Sequence, residues 1–153
     1  MHVFGLTSIK TMNRINELYR KYFKGSPNAK RIFVSPEEAS FVKYGINSFL
    51  ATKVAWLNQF KQIIDSYSQA TGETFDYDTV ISAMLNDERI GESHTKVPGI
   101  DGKLGFGGAC FTKDTSAFLE FSKNQTKEFT ILGEAIKSNN KIRNQYELDS
   151  REK

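Results

Sequence analysis

SPEEASFVKYGINSFLATKVAWLNQFKQIIDSYSQATG, residues 35–72, carries the strongest structural signals of this 153-residue chain. Its first residues combine a serine in the N-cap position, a proline at the first helical position and a glutamate in the capping-box position, which together mark a helix start. No helix breaker except Gly45 follows before Gly72. The segment therefore predicts one helix of roughly 35 residues, about 50 Å long. The alternative is a kink near Gly45 and two ordinary helices.

A helix of this length exceeds what a domain of this size needs to cover its own core. Helices in proteins gain most of their stability from packing, so we expect this one to lie along a second copy of the chain. The sequence thus predicts a homodimer, with Leu57 and Phe60 at the interface.

The residues before this helix have the pattern of a strand, a helix and a strand. Residues 3–6 and 31–34 have the composition of short strands, Ser8 is suited to cap the helix between them, and residues 25–28 end that helix. This order is typical of a parallel α/β sheet. Two strands alone cannot complete such a sheet, because both of its faces must be covered.

Shorter helices and a long loop are predicted after the long helix. Asp76 or Asp78 can cap a helix that ends at Gly91. Residues 92–109 have the composition of a loop, and a long loop in a small domain is more often functional than idle. The last helix is predicted from about Thr126.

The segment GFGGACFTKD, residues 105–114, begins in the loop predicted over residues 92–109 and carries the chain's only cysteine. A helical pattern begins just after Cys110 and runs through Phe121, which places the thiol at or just before a helix N-terminus. There the helix dipole and the free N–H groups favour a thiolate. Asp114 then lies about one turn further on. The alternative is a small buried hydrophobe, the usual state of a lone cysteine in a reducing compartment.

Composition excludes several classes of function. The net charge is +3, but the lysines and arginines are interleaved with 18 acidic residues, so no stripe for nucleic acid is expected. The mean hydropathy of -0.47 and the lack of a long apolar run argue against a membrane protein. The N-terminus lacks the features of a signal peptide, which favours a cytoplasmic location. Two distant histidines do not suggest a metal site, and the polar tail over residues 145–153 is expected to fray.

Three motifs occur in order between residues 36 and 114: NSFLATK at 47–53, DERIG at 87–91 and GFGGACFTKD at 105–114. Together they resemble the UDP-glucose/GDP-mannose dehydrogenase family, NAD-dependent enzymes that oxidise a sugar nucleotide at its six-position. The family's nucleophile motif is approximately GFGGSCFPKD. Its proline and serine are replaced here by Thr112 and Ala109, and neither change removes a reacting group.

The resemblance implies a mainly α fold, like the C-terminal domain of 6-phosphogluconate dehydrogenase, with a long dimerisation helix. Residues 1–35 look like the C-terminal remnant of an NAD-binding Rossmann domain, and residues 36–153 like the central catalytic-cysteine and dimerisation domain. No GxGxxG follows a strand. NAD is therefore not expected to bind this chain alone, and a separate chain or missing domain would carry the Rossmann fold.

The catalytic residues implied by the resemblance are Cys110, Lys43, Asn47 and Asp114. In the family, the cysteine captures the aldehyde left by a first hydride transfer to NAD as a thiohemiacetal, and a second transfer gives a thioester. Water positioned by Asp114 and a missing glutamate hydrolyses it, while Lys43 and Asn47 stabilise the oxyanions. From the residues alone, the alternative is that Lys43 extends to the edge of an apolar stripe and Asn47 bonds to backbone.

The substrate-binding residues implied by the resemblance lie on the glycine loop and in the DERIG segment: Phe106, Gly107, Gly108 and Arg89. The arginine matches one that reaches the substrate of the neighbouring subunit. The alternative is an ion pair with Asp87 or Glu88. Phenylalanine follows the cysteine here, as in the UDP-glucose branch, so the expected reaction is oxidation of UDP-glucose to UDP-glucuronate. A truncated, non-catalytic dimerisation module of the same family is the alternative function.

Overall fold

The computed structural model describes residues 1–23, 30–125 and 127–143. The predicted turn at residues 25–28 and the tail at 145–153 lie outside the described residues. The described elements are β1 (His2–Gly5), α1 (Ile9–Tyr22), β2 (Arg31–Val34), α2 (Pro36–Thr71), α3 (Tyr77–Met84), α4 (Gly108–Lys123) and α5 (Thr130–Ile142). The protein is therefore mainly α-helical, as predicted. It divides into two compact units, residues 1–46 and 47–153.

The first unit has the predicted strand, helix and strand. β1 and β2 pair in parallel, with His2 opposite Arg31, and β1 lies one residue earlier than predicted. The Phe4 ring stacks on Phe33 and meets Tyr19 of α1 edge-on, each at 5.5 Å between ring centroids. None of the described residues of this unit is buried.

α2 is a single helix that runs through Gly45 without a break. A capping box stabilises its start: the Ser35 hydroxyl accepts a hydrogen bond from the Glu38 amide at 3.2 Å, and the Glu38 carboxylate accepts one from the Ser35 amide at 2.8 Å. The bond from the Ser35 amide is the main reason that the pKa of the Glu38 carboxyl is lowered. The prediction of one long helix is confirmed.

Two apolar clusters form the core of the second unit, and α2 contributes to both. One cluster joins α2 to the glycine loop and α5: Ala51, Ala55, Phe106 and Ala135. The other joins α2 to α3 and the following loop: Leu57, Tyr77, Ile81 and Val97. The apolar face of α2 in this unit thus holds the loop that precedes Cys110 from one side.

α3 is shorter than predicted. Asp76 rather than Asp78 caps it, and its carboxylate accepts a hydrogen bond from the Thr79 amide at 2.8 Å. The helix ends at Met84, because residues 85–91 form successive turns closed by short-range backbone bonds. The prediction of a helix reaching residue 91 is wrong.

α5 begins at Thr130, four residues later than predicted. The connection from α4 is closed by Ser122, whose hydroxyl accepts a hydrogen bond from the Phe129 amide at 3.0 Å and donates one to the Leu119 carbonyl at 2.7 Å. This turn fixes where the last helix starts.

Candidate active site

Two buried asparagines hold the glycine loop before α4. Asn58 of α2 accepts a hydrogen bond from the Gly105 amide at 2.9 Å. Asn139 of α5 accepts one from the Phe106 amide at 2.7 Å and donates one to the Phe106 carbonyl at 3.0 Å. Gly105 has a φ of 73°, and a side chain there would overlap with Oδ1 of Asn139. Glycine is therefore required at this point of the loop.

Arg143, the C-cap residue of α5, reaches the same loop. Its Nη2 donates to the Asp101 carboxylate at 2.6 Å, and its Nη1 donates to the Gly105 carbonyl at 3.2 Å. The bond from Arg143 is the main reason that the pKa of the Asp101 carboxyl is lowered. The loop is thus fixed by one side chain from α2 and two from the end of the chain's last described helix.

Cys110 is exposed and is the third residue of α4. The helix begins at Gly108, so the loop predicted over residues 92–109 ends earlier and the thiol lies inside the first turn. The amides of a first turn have no partners within the helix, and the dipole there is positive. Because the side chain is exposed, the alternative of a buried hydrophobe is wrong.

Asp114 lies one turn after Cys110 on α4 and is only 1% exposed. Asn47 of α2 donates a hydrogen bond from Nδ2 to Oδ2 of Asp114 at 2.6 Å. Asn47 therefore meets this carboxylate through its side-chain amide. Of the four residues predicted to be catalytic, the structure brings Asn47 and Asp114 into contact, and Cys110 lies on the same helix as Asp114.

Two other predicted site residues differ in exposure: Lys43, predicted to be catalytic, is exposed, and Phe106, predicted to bind substrate, is buried. Lys43 belongs to the first unit and is exposed, with its ammonium 5.2 Å from the centroid of the Tyr44 ring. Phe106 is buried in the first core cluster, so its side chain anchors the loop to α2 and α5. Phe106 nevertheless also lines the cavity beside this loop, together with the two predicted glycines.

A cavity of about 720 Å³ opens beside the loop, within the size range of small-molecule sites. Gly107 and Gly108 line it together with Phe111, His94 and Lys96. His94 has a φ of 65°, and its ring lies 5.4 Å from that of Phe111. The two predicted glycines thus face a space that a ligand can enter.

Arg89 is exposed and bonds to Asp87, with Nε 2.9 Å from Oδ1. This is the alternative interpretation of the arginine. The contact forms because residues 85–91 are turns, in which positions two apart can meet, whereas a helix would separate them. The hydrogen bond lowers the pKa of the Asp87 carboxyl and raises that of the Arg89 guanidinium.

In the described parts of the chain, no group of three or more histidine, cysteine or acidic side chains could hold a metal ion. No described helix combines the length and apolarity that a bilayer crossing requires.

Residues 37–141 match the family model described as "UDP-glucose/GDP-mannose dehydrogenase family, central domain". The chain belongs to this family. It is 32% identical over 139 residues to the UDP-glucose 6-dehydrogenase YwqF of Bacillus subtilis, a match that covers 90% of this chain and 28% of YwqF. Identity to the UDP-glucose 6-dehydrogenase TuaD of the same organism is 33% over 141 residues, 92% of this chain and 27% of TuaD.

A solved structure of this dehydrogenase family has a similar fold. The UDP-glucose dehydrogenase from the hyperthermophilic archaeon Pyrobaculum islandicum superposes with a TM-score of 0.75 at 28% identity, over 91% of this chain and 28% of that one. The chain therefore spans little more than a quarter of the length of each of these three proteins.

Sequence reasoning missed the residues that fix the loop of this dehydrogenase domain. Asn58, Asn139 and Arg143 are buried, and no motif singles them out. A signal exists for Asn58, since it directly follows Leu57 on the buried side of α2, and a buried amide needs a partner. The partner itself lies 47 residues away.

Lys53 of α2, in the NSFLATK motif, binds the end of the DERIG segment and the residues after it. Its ammonium donates to the carbonyls of Ile90, Gly91 and Ser93 at 3.0, 2.7 and 2.7 Å. Partial burial lowers the pKa of the Lys53 ammonium. The turn that follows Arg89 is therefore tied to α2.

Proposed function

We propose that this chain is the covalent-catalysis module of a nucleotide-sugar dehydrogenase, with Cys110 as nucleophile. One observation carries the proposal: the exposed cysteine lies in the first turn of a helix whose next turn bears Asp114, a buried carboxylate oriented by Asn47. A nucleophile beside an oriented acid–base group is what capture and release of an acyl group require.

The chemistry assigned to these residues has two parts. The Cys110 thiolate adds to the aldehyde carbon of the oxidised sugar, a C–S bond forms, and the carbonyl oxygen takes up a proton. After the second oxidation, water adds to the thioester, its proton passes to Asp114, and the C–S bond breaks to return the thiolate. Asn47 and Lys43 are the proposed donors to the oxyanions.

The NAD that the family uses does not fit the residues of this chain. The turn from β1 to α1, residues 6–8, contains no glycine, and the glycine loop at 105–108 precedes a helix without following a strand. We therefore assign the hydride acceptor to another part of the protein or a second chain. A nucleophilic exposed thiol needs a reducing compartment, which favours the cytoplasm.

Alkylation of the single cysteine tests the proposal. We expect iodoacetamide to label Cys110 at least about tenfold faster than glutathione at neutral pH, because the first turn of α4 favours the thiolate. The matched control is the double variant Cys110→Ala/Ala117→Cys, which moves the thiol to an exposed site later on the same helix. Equal rates for the two proteins would refute the assignment.

The substrate is tested by reconstitution. The relatives named above are UDP-glucose 6-dehydrogenases, and we propose UDP-glucose for this chain also. Mixing it with the NAD-binding and C-terminal domains of such a relative should restore oxidation of UDP-glucose, and Cys110→Ser should abolish it. Oxidation of GDP-mannose alone would contradict the substrate, and binding without oxidation would favour the non-catalytic module.

A homodimer along α2 is the proposed assembly, although the interface differs from the sequence prediction. Leu57 is buried in the chain's own core and Phe60 is half-buried against it. Phe49, Trp56 and Ile63 are more than half exposed and recur at seven-residue spacing, the pattern of a helix seam. The prediction that placed Leu57 at the interface is therefore wrong.

Sedimentation tests this assembly. Trp56→Ala should weaken association measurably, whereas Ile131→Ala, which truncates an exposed residue of α5, should not. A monomer at high micromolar concentration would refute the dimer. Arg89 has a side chain that is 88% exposed. We propose that it exchanges its bond to Asp87 for the partner's substrate.

A further inference from the structure

The guanidinium of Arg143 is buried beneath the glycine loop. Its side chain is only 6% exposed, although basic residues at the end of a helix usually extend into solvent. Nη1 and Nη2 have acceptors on residues 101–105, while Nε is buried and has no hydrogen-bond partner among the residues that the structure describes. Leaving a buried donor unsatisfied costs free energy, so other interactions must hold the guanidinium in this place.

Gly107 fits against that guanidinium. A β-carbon at Gly107 would overlap with Nε, Cζ and Nη2 of Arg143. The φ of Gly107 is -153°, which any residue adopts, so the backbone itself does not require glycine. A larger residue there would require the Arg143 guanidinium to move.

The contact lies at the start of the helix that carries Cys110. Gly107 is the N-cap of α4, and the thiol follows three residues later. Arg143 also holds the carbonyl of Gly105, two residues before the N-cap. The same side chain therefore sets both the path of the loop and the point at which the helix begins.

We propose that Arg143 is a positioning residue for the covalent step: it fixes the N-cap of α4 and thereby the place of the Cys110 thiol. This inference rests on the proposed role of Cys110 as nucleophile. A thiol displaced by a fraction of an ångström from the end of a helix loses both its alignment and part of the dipole that favours its anion.

The test is a double-mutant cycle between Gly107→Ala and Arg143→Ala, with Lys141→Ala as the control, because Lys141 is exposed on the same helix. Two readouts are measured: the iodoacetamide rate of Cys110 at neutral pH, and hydrogen exchange of the Phe106 amide. We expect each single variant to slow alkylation about tenfold. The double variant should be no slower than Arg143→Ala, since the overlap is gone.

The proposal is overturned if the two substitutions act additively, or if Arg143→Ala alkylates within about twofold of the parent chain while its Phe106 amide is unchanged. A purely structural role would lower stability without slowing alkylation of the folded protein, and that result also counts against it. Failure of the proposed function gives a different result. Cys110 of the unmutated chain would then react with iodoacetamide at the same rate as glutathione, while hydrogen exchange of the Phe106 amide would still show the coupling between Gly107 and Arg143.

Discussion

The two compact units differ in how they bury their residues. Every described residue classed as buried belongs to residues 47–143, and none belongs to residues 1–46. Both units contain well-formed helices and side-chain hydrogen bonds. Both units thus have regular secondary structure, but among the described residues only the second unit has a core of buried side chains.

The difference follows from which partners each unit contains. In the second unit, α2 packs against residues that come from three later segments, so its apolar face is covered. In the first, two strands, α1 and the first residues of α2 leave Ile9, Leu18 and Tyr22 of α1 exposed. A parallel sheet of two strands lacks the neighbours that such a helix normally covers. The exposed residues of α1 are one reason to propose, as the family resemblance implies, that residues 1–35 belong to a larger sheet domain.

Truncating one apolar residue in each unit gives the largest expected contrast. Leu57→Ala should lower the free energy of unfolding by about 2–5 kcal/mol, since it leaves a cavity in the second core cluster. Ile9→Ala, at a position 75% exposed, should change it by less than about 0.5 kcal/mol. Urea unfolding measures both. Equal losses would show that α1 is covered in solution, and the contrast between the units would fail.

Removing one asparagine from each unit gives the next contrast. Asn139→Ala strips two hydrogen bonds from the buried backbone of Phe106 and should cost about 2–3 kcal/mol. Asn16 accepts one bond from Arg31 at a half-buried site, so Asn16→Ala should cost about 0.5 kcal/mol. The melting temperatures compare the two. A larger loss for Asn16→Ala would contradict the idea that the second unit holds the protein's cooperative core.

The features that the sequence predicted well depend on residues close together in the chain. Ser35 and Glu38 are three positions apart, and their capping box marked the start of α2. The glycines before Cys110 likewise indicated a loop and then a helix. Such signals act before any tertiary contact forms, so a single sequence shows them.

The features that it did not predict depend on distant partners. Asn139 meets Phe106 across 33 positions, and Arg143 meets Asp101 across 42. The face of Leu57 was also misassigned, because the spacing of apolar residues shows that a helix has a buried side but not whether its own chain or a partner covers it. Tertiary packing decides these cases.

A pH titration gives a further contrast between buried and exposed groups. Burial, with a smaller effect of the Asp78 charge, raises the pKa of the Tyr77 hydroxyl to about 12 from its ordinary value of 10.0. The hydroxyl donates to the Thr95 carbonyl at 2.7 Å. A raised folded-state pKa means that this contribution to stability is present below about pH 10 and is lost as the pH rises toward about 12.

Near pH 11 we expect a loss of about 1 kcal/mol from Tyr77. Denaturant unfolding at several pH values measures it. Tyr77→Phe should be less stable than the parent chain at neutral pH, because the Thr95 carbonyl loses its donor, yet its stability should fall less between about pH 9 and about pH 12. An identical alkaline slope in the two proteins would assign the pH dependence to other groups.

The smallest expected effect compares the caps of one helix in each unit. Asp76 caps α3 through its carboxylate, and hydrogen bonds from the hydroxyl and amide of Thr79 lower the pKa of that carboxyl. Ser8 occupies the N-cap position of α1 but its side chain makes no capping bond. Asp76→Ala should therefore destabilise the protein measurably, and Ser8→Ala should have a smaller effect. Because the Asp76 pKa is lowered on folding, its contribution should be present at neutral pH and fade as the pH falls through the acidic range. Thermal unfolding of both variants at about pH 7 and about pH 3 checks the magnitude and the sign together. If Ser8→Ala costs as much as Asp76→Ala, the start of α1 is stabilised in solution by a bond that its exposed geometry does not show, and the first unit is more tightly built than its lack of buried residues indicates.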